Sequence, residues 1–514
     1  MPLPRLSRTA AGLTALALVL SAPALAQEAD KGAAKPPEKA QADKKPAFEA
    51  QRTVTRHTLP LAAGPLAYSA TAEYLPLSDD GKDEPAARVF TVTYTADASA
   101  DKTTPPRPVA FVFNGGPGAA AAYLHLGALG PKVVRFADDG AILRPPAPVV
   151  DNPDSWLAFT DLVFIDPVGT GYSRGLTGEE AEKRTWSPDG DARAMAEIVR
   201  LWLARNGRWE SPKLLVGESY GGFRIARMAA ELAGRQGVFL NGLIMLSPAV
   251  DFATISEGPS GLLAAAFKLP SYAASAAFHH KAAGTPEEAA RNAERFAMTG
   301  YVAGLATLDV GQLDASAPLF ADLAQRIGLP VEMITRHRGR VPARTFIREI
   351  VRDKGRVASL YDGTFTGPDP DPASPRVGDD PFLDGTLPVY ATAFAGYVQR
   401  DLEFRTDTPF TLLSERVNRN WEWPRMSVPS ATGELQSVLA LTPGLRVLIA
   451  HGLTDLITPY MASAWIVRNL ELPAGERDRV SVRTYPGGHM MYTLAPSRAA
   501  LARDARALVE TAVR

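Results

Sequence analysis

The amino-acid sequence predicts an α/β fold, in which helices cover both faces of a mostly parallel central sheet. Short apolar, β-branched runs alternate along the chain with stretches whose apolar residues recur at helical spacing. The runs are almost continuously apolar, which is typical of strands that are buried on both faces. With 514 residues, of which 46% are hydrophobic, the chain is long enough to bury a large core.

Residues 1–26 have the pattern of an export signal. Arg5 and Arg8 precede an apolar run at 13–20, and the sequence ALA at 24–26 supplies the small residues, Ala24 and Ala26, that a signal peptidase requires. The run is too short to cross a membrane, and we expect no integral membrane segment elsewhere in the chain. The pattern therefore predicts export to a bacterial periplasm or to the medium.

Residues 27–51 are charged and rich in alanine and proline, which predicts a disordered spacer. The net charge of the chain is -1 and no basic tract is present, so we expect no nucleic-acid partner. The chain has no cysteine, which excludes disulfides, a lipoprotein anchor and thiolate metal sites. No metal site and no cofactor are predicted.

The strands and helices follow one another in a regular order. Alternation of apolar and polar residues from Thr53 to Thr95 predicts antiparallel strands at an edge of the sheet. Buried strands are predicted at 108–116, 160–167, 213–217, 241–248, 445–452 and 479–488. Helices are predicted over 191–207, from the end of the third of these strands to Gly234, and over 497–513.

A long segment between Pro248 and Leu445 interrupts this alternation. It is rich in alanine, arginine and helical patterns, and we interpret residues 249–443 as a cap or lid insertion. The core would then consist of residues 52–248 and 444–514. We expect the cap to cover the C-terminal edge of the sheet, where ligands bind in open α/β folds.

The stretch VGESYGG, at 216–222, places Ser219 between glycines and directly after Glu218. A predicted strand ends at Gly217 and a predicted helix follows at once. This strand–turn–helix arrangement is what a nucleophile elbow requires, because the sharp turn exposes the serine Oγ. The N–H groups at the start of the helix favour developing negative charge. Ser219 is therefore predicted to be a nucleophile.

A serine nucleophile needs a base, and the chain offers seven histidines. His489 lies in a glycine-rich loop after the last predicted strand, and Asp455 follows the preceding strand, where an acid would orient the imidazole. His451 is the second candidate base, but it precedes Asp455 and breaks the order of serine, acid and histidine. A helix cap for Asp455 and an ordinary loop position for His489 are the structural alternatives.

Backbone N–H groups of a loop after an earlier strand would complete such a site. The sequence from Phe113 to Gly118 is FNGGPG, whose glycines allow a close approach to a ligand. A simple tight turn would have the same composition.

Six segments in this order resemble the serine carboxypeptidases, the peptidase S10 branch of the α/β-hydrolase fold. They are NGGPG at 114–118, NPDSW at 152–156, DPVGTGYS at 166–173, GESYGG at 217–222, HGLTDLITP at 451–459 and GGHMMY at 487–492. The resemblance implies an α/β-hydrolase fold with a helical cap. It also implies a serine hydrolase that acts on peptides with a free C-terminus.

The resemblance further implies a role for individual residues. The catalytic triad would be Ser219, Asp455 and His489, the oxyanion hole would be the N–H groups of Gly116 and Tyr220, and the substrate carboxylate would bind at Asn114, Gly115 and Glu218. Two carboxyl groups in contact cannot both ionise cheaply, so Glu218 and a substrate carboxylate would share a proton. Binding would then strengthen at acid pH.

The sequence departs from the family pattern at three positions. Val112 stands where many members have tryptophan, Ala119 where disulfide-bearing members have cysteine, and Ala128 where a second glutamate is common. Without that glutamate, Arg174 or Arg224 is a candidate ligand for the substrate carboxylate.

The expected function is that of an exported serine carboxypeptidase that works through an acyl-enzyme. The same triad would serve an esterase or an acyltransferase, since the fold does not decide the substrate. A non-catalytic binding protein is the third possibility, and the complete set of serine, aspartate and histidine argues against it.

Overall fold

The computed structural model describes residues 48–78, 84–97, 105–258, 261–374 and 377–513, all within the unit Lys45–Arg514. The predicted signal at 1–26 and most of the predicted spacer at 27–51 lie outside the described residues. Within these ranges, no helix combines the length and the apolar character needed to cross a bilayer.

The strands of the described residues form one large sheet and two small hairpin sheets. Their bounds are β1 (Arg52–Leu59), β2 (Leu66–Ser78), β3 (Pro85–Ala96), β4 (Val109–Phe113), β5 (Lys132–Val134), β6 (Val149–Asp151), β7 (Asp161–Ile165), β8 (Arg174–Gly175), β9 (Lys213–Glu218), β10 (Gly242–Leu246), β11 (Arg356–Ala358), β12 (Thr366–Pro368), β13 (Arg446–Gly452) and β14 (Val480–Tyr485).

The helices lie between these strands and in the long segment before β13. Their bounds are α1 (Ala122–Leu124), α2 (Glu179–Lys183), α3 (Pro188–Asn206), α4 (Tyr220–Gly234), α5 (Leu262–Phe278), α6 (Pro286–Phe296), α7 (Val302–Ala306), α8 (Ala317–Ile327), α9 (Val331–Arg336), α10 (Ala343–Glu349), α11 (Leu383–Arg400), α12 (Glu415–Arg419), α13 (Thr432–Leu441), α14 (Tyr460–Asn469) and α15 (Ala495–Ala512).

The large sheet has the strand order β1-β2-β3-β7-β4-β9-β10-β13-β14, and β8 pairs with β3. Every pairing from β7 to β14 is parallel. The pairings of β1, β2 and β3 are antiparallel and form one edge of the sheet. The predictions of a mostly parallel sheet and of an antiparallel edge are therefore confirmed.

Alternate residues of each central strand contribute to two separate cores, because successive side chains point to opposite faces of a sheet. In β4, Ala110 and Val112 pack into one core, while Val109, Phe111 and Phe113 pack into the other. The first core also receives residues of α1, α11 and α15, and the second receives residues of α3, α4 and α13. Helices thus cover both faces, as the near-continuous apolar strands predicted.

Helix α3 shows how local sequence sets the bounds of an element. The Ser187 side chain accepts a hydrogen bond from the Gly190 N–H, and Pro188 occupies the first turn, where it costs no hydrogen bond. The helix ends at Gly207, whose left-handed backbone is accessible to glycine. These signals lie in the motif SPDG and extend the helix three residues before its predicted start at 191.

The segment between β10 and β13 packs against different parts of the molecule. Helices α5, α6, α8 and α10 enclose a third core of their own, which also takes in residues of α14. By contrast, α11 places Tyr390 and Phe394 in the first core of the sheet, and α13 places Leu435 and Leu439 in the second. The assignment of the whole of 249–443 to a cap stays a prediction.

The second core can be tested at Trp202 of α3. This side chain is buried, packs edge-to-face on Phe111 with ring centroids 5.3 Å apart, and donates a 3.0 Å hydrogen bond to Thr93 Oγ1. We expect Trp202→Ala to lower the free energy of unfolding by about 3–5 kcal/mol in urea denaturation. Trp209→Ala is the control, because Trp209 is 44% exposed and its loss should cost about 0.5 kcal/mol or less. Equal costs would contradict this account of the core.

Candidate active site

The turn between β9 and α4 holds Ser219 in a backbone conformation that non-glycine residues rarely adopt. Its φ is 59° and its ψ is -124°, a strained combination that costs about 1–3 kcal/mol. The Ser219 N–H donates to the Leu246 carbonyl oxygen at 2.9 Å, and the Ser219 carbonyl oxygen accepts from Gly222 and Ala249. These bonds fix the turn, and the Ser219 side chain remains partly exposed at its tip.

The glycines around Ser219 are required by close backbone contacts. A Cβ at Gly217 would stand 2.2 Å from the Gly221 carbonyl oxygen, and a Cβ at Gly222 would stand 2.3 Å from Pro248 Cβ. A Cβ at Gly221 would come within 2.9 Å of the Phe113 carbonyl oxygen. The motif therefore meets a steric demand of the strand–turn–helix geometry that the sequence predicted.

Asp455 and His489 lie in contact at the ends of β13 and β14. His489 Nδ1 is 2.8 Å from Asp455 Oδ2, and both side chains are buried. The His489 carbonyl oxygen accepts a 2.9 Å hydrogen bond from Ser247 Oγ. Ser247 directly follows Leu246, the residue that binds the Ser219 N–H, so the histidine loop is attached to the turn that carries Ser219. With Nδ1 on the carboxylate, Nε2 is the ring nitrogen available to a hydroxyl.

Two residues that the sequence analysis did not identify hold this pair in place. Thr458 Oγ1 lies 2.6 Å from Asp455 Oδ2, and the Thr458 N–H donates to Asp455 Oδ1 at 3.0 Å. The His489 N–H donates to the Tyr361 carbonyl oxygen at 2.5 Å, and the Tyr361 ring packs edge-to-face on the imidazole. Thr458 lies three residues after an aspartate, a spacing typical of side-chain-stabilised turns, but Tyr361 has no signal in the sequence.

Burial and charge act in opposite directions on the aspartate and the histidine. Burial raises the pKa of Asp455, but His489 and the hydrogen bonds from His489 and Thr458 outweigh it and hold the pKa below its usual value. Burial lowers the pKa of His489, but Asp455 and then Glu218 outweigh it and hold the pKa above its usual value. The aspartate therefore stays ionised and strengthens the imidazole as a base.

Gly115, in the predicted oxyanion loop, lies against the turn that carries Ser219. A Cβ at Gly115 would stand 2.6 Å from the Tyr220 nitrogen and 2.9 Å from Ser219 Cβ. Tyr220 is the first residue of α4, so its N–H has no acceptor within the helix. Gly116 has a φ of 100° and is exposed. Tyr220 directly follows Ser219 and Gly116 directly follows Gly115, so the assignment of their N–H groups to an oxyanion hole stays a prediction.

The oxyanion loop is supported from the segment before β13. The Gly118 carbonyl oxygen accepts a 2.8 Å hydrogen bond from the Ser414 N–H, and Ala120 donates to the Leu412 carbonyl oxygen at 2.8 Å. The Asn418 side chain donates to the Pro117 carbonyl oxygen at 3.1 Å. Residues of the predicted insertion therefore hold this loop as well as the histidine loop.

Glu218 is buried directly beside Ser219 and has two side-chain partners. Asn114 Nδ2 donates to Glu218 Oε2, and the Tyr492 hydroxyl lies 2.9 Å from Oε1 and 3.1 Å from Oε2. Asn114 Oδ1 in turn accepts from the Leu124 N–H at 3.1 Å, which fixes the amide. Burial raises the pKa of Glu218 to about 7, Asp455 adds to the rise, and His489, Tyr492 and Asn114 oppose it. Near neutral pH this carboxyl group is therefore poised between its two forms.

His451, the second candidate base, hydrogen-bonds to α14, and Asp455 contacts His489 instead. Its Nε2 is 2.9 Å from Ser463 Oγ in α14, and burial lowers its pKa to about 4. A histidine with this pKa stays neutral, and this one packs inside the fold. The interpretation of His451 as the base is wrong.

The two candidate arginines are engaged elsewhere. Arg224 is buried, its Nε donates to Asp191 Oδ2 at 2.7 Å, and its Nη1 donates to the Asn114 carbonyl oxygen. Arg174 donates to the carbonyl oxygens of Gly171, Ser173 and Pro409. Arg224 thus stabilises the backbone of Asn114, and Arg174 links the loop at 171–173 to Pro409. These contacts do not favour either arginine as a ligand of a substrate carboxylate, and the hypothesis stays untested.

The sheet order, the turn at Ser219 and the positions of Asp455 and His489 after later strands define an α/β hydrolase. The comparison with solved structures agrees with this fold. Kex1(delta)p, a prohormone-processing carboxypeptidase from Saccharomyces cerevisiae, superimposes with a TM-score of 0.53 at 16% identity, over 84% of this chain and 90% of that one.

Sequence comparison finds a similarity over part of the chain. Residues 66–257 match the family model of the serine carboxypeptidases. The chain is 32% identical to the pheromone-processing carboxypeptidase KEX1 of Yarrowia lipolytica over 27% of its length, and 26% identical to serine carboxypeptidase-like 51 of Arabidopsis thaliana over 31%. These matches span only 21% and 34% of the two relatives. The family model covers 192 of the 514 residues, so this part of the chain is similar to the serine carboxypeptidases.

The steric account of the turn can be tested with two glycines. In Gly217→Ala the new Cβ would overlap the Gly221 carbonyl oxygen, a backbone atom that no side-chain movement can relieve. We expect the free energy of unfolding to fall by about 3 kcal/mol or more in urea denaturation. Gly234→Ala, at the end of α4, has no atom within 4 Å of the new Cβ and should change stability by about 1 kcal/mol or less. A benign Gly217→Ala would contradict the steric account.

Proposed function

We propose that the protein is a serine carboxypeptidase, which releases the C-terminal amino acid of a peptide through an acyl-enzyme. The observation that carries this proposal is the buried Glu218 beside Ser219. An ester or amide hydrolase has no need of a carboxyl group next to its nucleophile. A protonated carboxyl group held in this position by Asn114 and Tyr492 can bind the carboxylate of a peptide C-terminus.

The contacts support a two-stage acyl transfer. Ser219 Oγ attacks the carbonyl carbon of the last peptide bond while His489 Nε2 takes its proton, and Asp455 holds the imidazolium by the 2.8 Å contact at Nδ1. The N–H groups of Gly116 and Tyr220 stabilise the oxyanion. His489 then protonates the leaving amine, and the amino acid departs. Water, activated by His489, attacks the acyl-enzyme, and Ser219 is released as the leaving group.

Substrate recognition would depend on the protonation of Glu218. The neutral carboxyl group accepts from Asn114 and Tyr492 and donates its proton to one oxygen of the substrate carboxylate. Gly115 brings the loop backbone to the same place, since it packs on Ser219 and Tyr220. The ionised carboxylate would repel the substrate, so binding of a free C-terminus is expected to weaken as the pH rises.

We also propose that residues 1–26 direct export and that the enzyme acts in a periplasm or outside the cell. This proposal rests on the basic, apolar and small-residue pattern of these residues. Expression of the full chain in a bacterium, followed by cell fractionation and N-terminal sequencing, tests it. A mature N-terminus at Gln27 is the expected result, and a retained Met1 in the cytoplasmic fraction would contradict it.

Loss of the nucleophile provides the direct test of acyl transfer. A fluorophosphonate probe should label Ser219, and Ser219→Ala should lose the labelling and at least about 10⁴-fold of kcat on N-blocked dipeptides. Ser256→Ala is the matched control, because Ser256 is exposed and lies outside the site. Full turnover by Ser219→Ala would refute the mechanism. Equal cleavage of C-terminal amides and free carboxylates would identify a different hydrolase.

The pH dependence should differ between peptides and esters. Productive binding of a peptide needs neutral His489 and protonated Glu218. The raised pKa of His489 limits kcat/KM on the acid side, and the Glu218 pKa of about 7 limits it on the alkaline side. We expect a bell-shaped profile near neutral pH for an N-blocked dipeptide. A matched ester without a free carboxylate should lose only the alkaline decline. An alkaline decline of the same size with the ester would contradict the role of Glu218.

A further inference from the structure

The Tyr492 hydroxyl contacts Glu218, and the sequence analysis assigned no role to this residue. Tyr492 is fully buried and lies three residues after His489, in the short 3₁₀ turn Met491–Thr493 that leads into α15. Its hydroxyl is within hydrogen-bond distance of both carboxyl oxygens of Glu218. A phenol donates to a carboxylate more strongly than to a neutral carboxyl group, because the acceptor is then charged. The contact therefore depends on the state of Glu218.

The same ring occupies the space beside position 128, where the family resemblance leads one to expect a second glutamate. A Cβ at the neighbouring Gly127 would stand 2.6 Å from Tyr492 Cε2 and 2.7 Å from the Tyr390 hydroxyl. Ala128 is buried and packs in the same core as Tyr390 and Tyr492. Glu218 thus has a neutral phenol as its neighbour on this side. A second carboxylate there would favour protonation of Glu218 by repulsion, whereas the phenol favours its ionised form.

Other groups also face Glu218. His489 favours its ionised form and Asp455 its protonated form, and both belong to loops after the last strands. The phenols of Tyr123 on α1, Tyr361 before β12 and Tyr390 on α11 complete the surroundings. Burial first, and then the charge of Glu218 among others, raise the pKa values of these three phenols far above neutral, so they stay uncharged as Glu218 titrates. Tyr492 is the phenol of this set that hydrogen-bonds to Glu218 in the described part of the chain.

We propose that Tyr492 is a positioning residue that sets the upper pH limit at which this enzyme accepts a peptide with a free C-terminal carboxylate. The inference rests on the proposed function of Glu218. The hydroxyl orients the carboxyl group beside Ser219 and stabilises its ionised form, which rejects the substrate. Removing the hydroxyl leaves the neutral, substrate-binding form favoured up to a higher pH.

The test is Tyr492→Phe, which keeps the ring that fills the space beside Ala128 and removes only the donor. KM for an N-blocked dipeptide is measured from pH 5 to 9 with the purified full-length protein. The pH at which KM begins to rise should move up by about one unit, because a hydrogen bond to a charged group is lost. At pH 8 the variant should therefore bind the peptide several-fold more tightly than the wild type, with kcat changed much less than KM.

Tyr390→Phe is the matched control. The Tyr390 hydroxyl is buried in the same group of tyrosines but has no hydrogen-bond partner in the described residues, so its removal should leave the pH limit in place. An unmoved limit in Tyr492→Phe, or an equal shift in both variants, would overturn the proposal. The proposal would also be overturned if Tyr492→Phe changed kcat and KM equally at every pH for both the peptide and its ester, since this would indicate general damage to the site.

Glu218→Gln separates this inference from the proposed function. If Glu218 binds the substrate carboxylate, the glutamine variant should lose the pH dependence of KM altogether. A wild-type enzyme that cleaves no peptide, or a glutamine variant with an unchanged KM profile, refutes the role of Glu218 itself. If the wild type and the glutamine variant behave as expected but the pH limit of Tyr492→Phe is unmoved, only the role of Tyr492 is refuted.

Discussion

The backbone of Ser219 is the constraint on which the rest of the site depends. The strained, positive-φ backbone of Ser219 is tolerated because the surrounding backbone segments pack closely against the turn. Gly217, Gly221 and Gly222 allow this close packing, since they have no Cβ. The sharp turn also separates the two adjacent side chains. Ser219 stays at the partly exposed tip, while Glu218, the last residue of β9, is directed into the fold. The exposed hydroxyl and the buried carboxyl group thus have one cause.

Because Glu218 is buried so close to His489, the protons of the two groups are not independent. Each group favours the charged form of the other, and the carboxylate of Asp455 acts on both. In one arrangement the proton resides on Glu218, and both Glu218 and His489 are neutral. In the reverse arrangement the proton resides on His489, and both groups are charged. The two arrangements have the same net charge. Under the proposed function, only the first could accept a substrate carboxylate and also deprotonate Ser219. The balance between the two arrangements is therefore a property of the pair, and any neighbour that favours one of them affects both recognition and chemistry.

Sequence reasoning predicted the fold, which is confirmed, and selected the candidate residues of the site, because both leave local signals. Apolar runs and helical spacing predicted the parallel strands, and the order of serine, aspartate and histidine selected three residues that the structure brings to one edge of the sheet. The same reasoning missed the contact of Arg224 with Asp191, which lies 33 residues earlier on α3. It also missed Tyr361 and Tyr492, because their roles arise from contacts across long stretches of chain. Burial, too, is invisible in a motif, so the pKa of Glu218 could not be inferred from its place beside Ser219.

The hydrogen bond from the His489 N–H to the Tyr361 carbonyl oxygen has a consequence for how this architecture can diversify. Segments inserted between strands of an α/β hydrolase are often regarded as interchangeable modules that alter specificity on a constant catalytic base. Here the exchange of such a module would remove an acceptor of the histidine loop and, with residues 412–418, the support of the loop that carries Gly116. Recombination or grafting between relatives would have to transfer these two short backbone contacts along with the helices. Changes around Tyr361 or in residues 412–418 would therefore also alter the backbone support of the histidine loop and of the loop that carries Gly116.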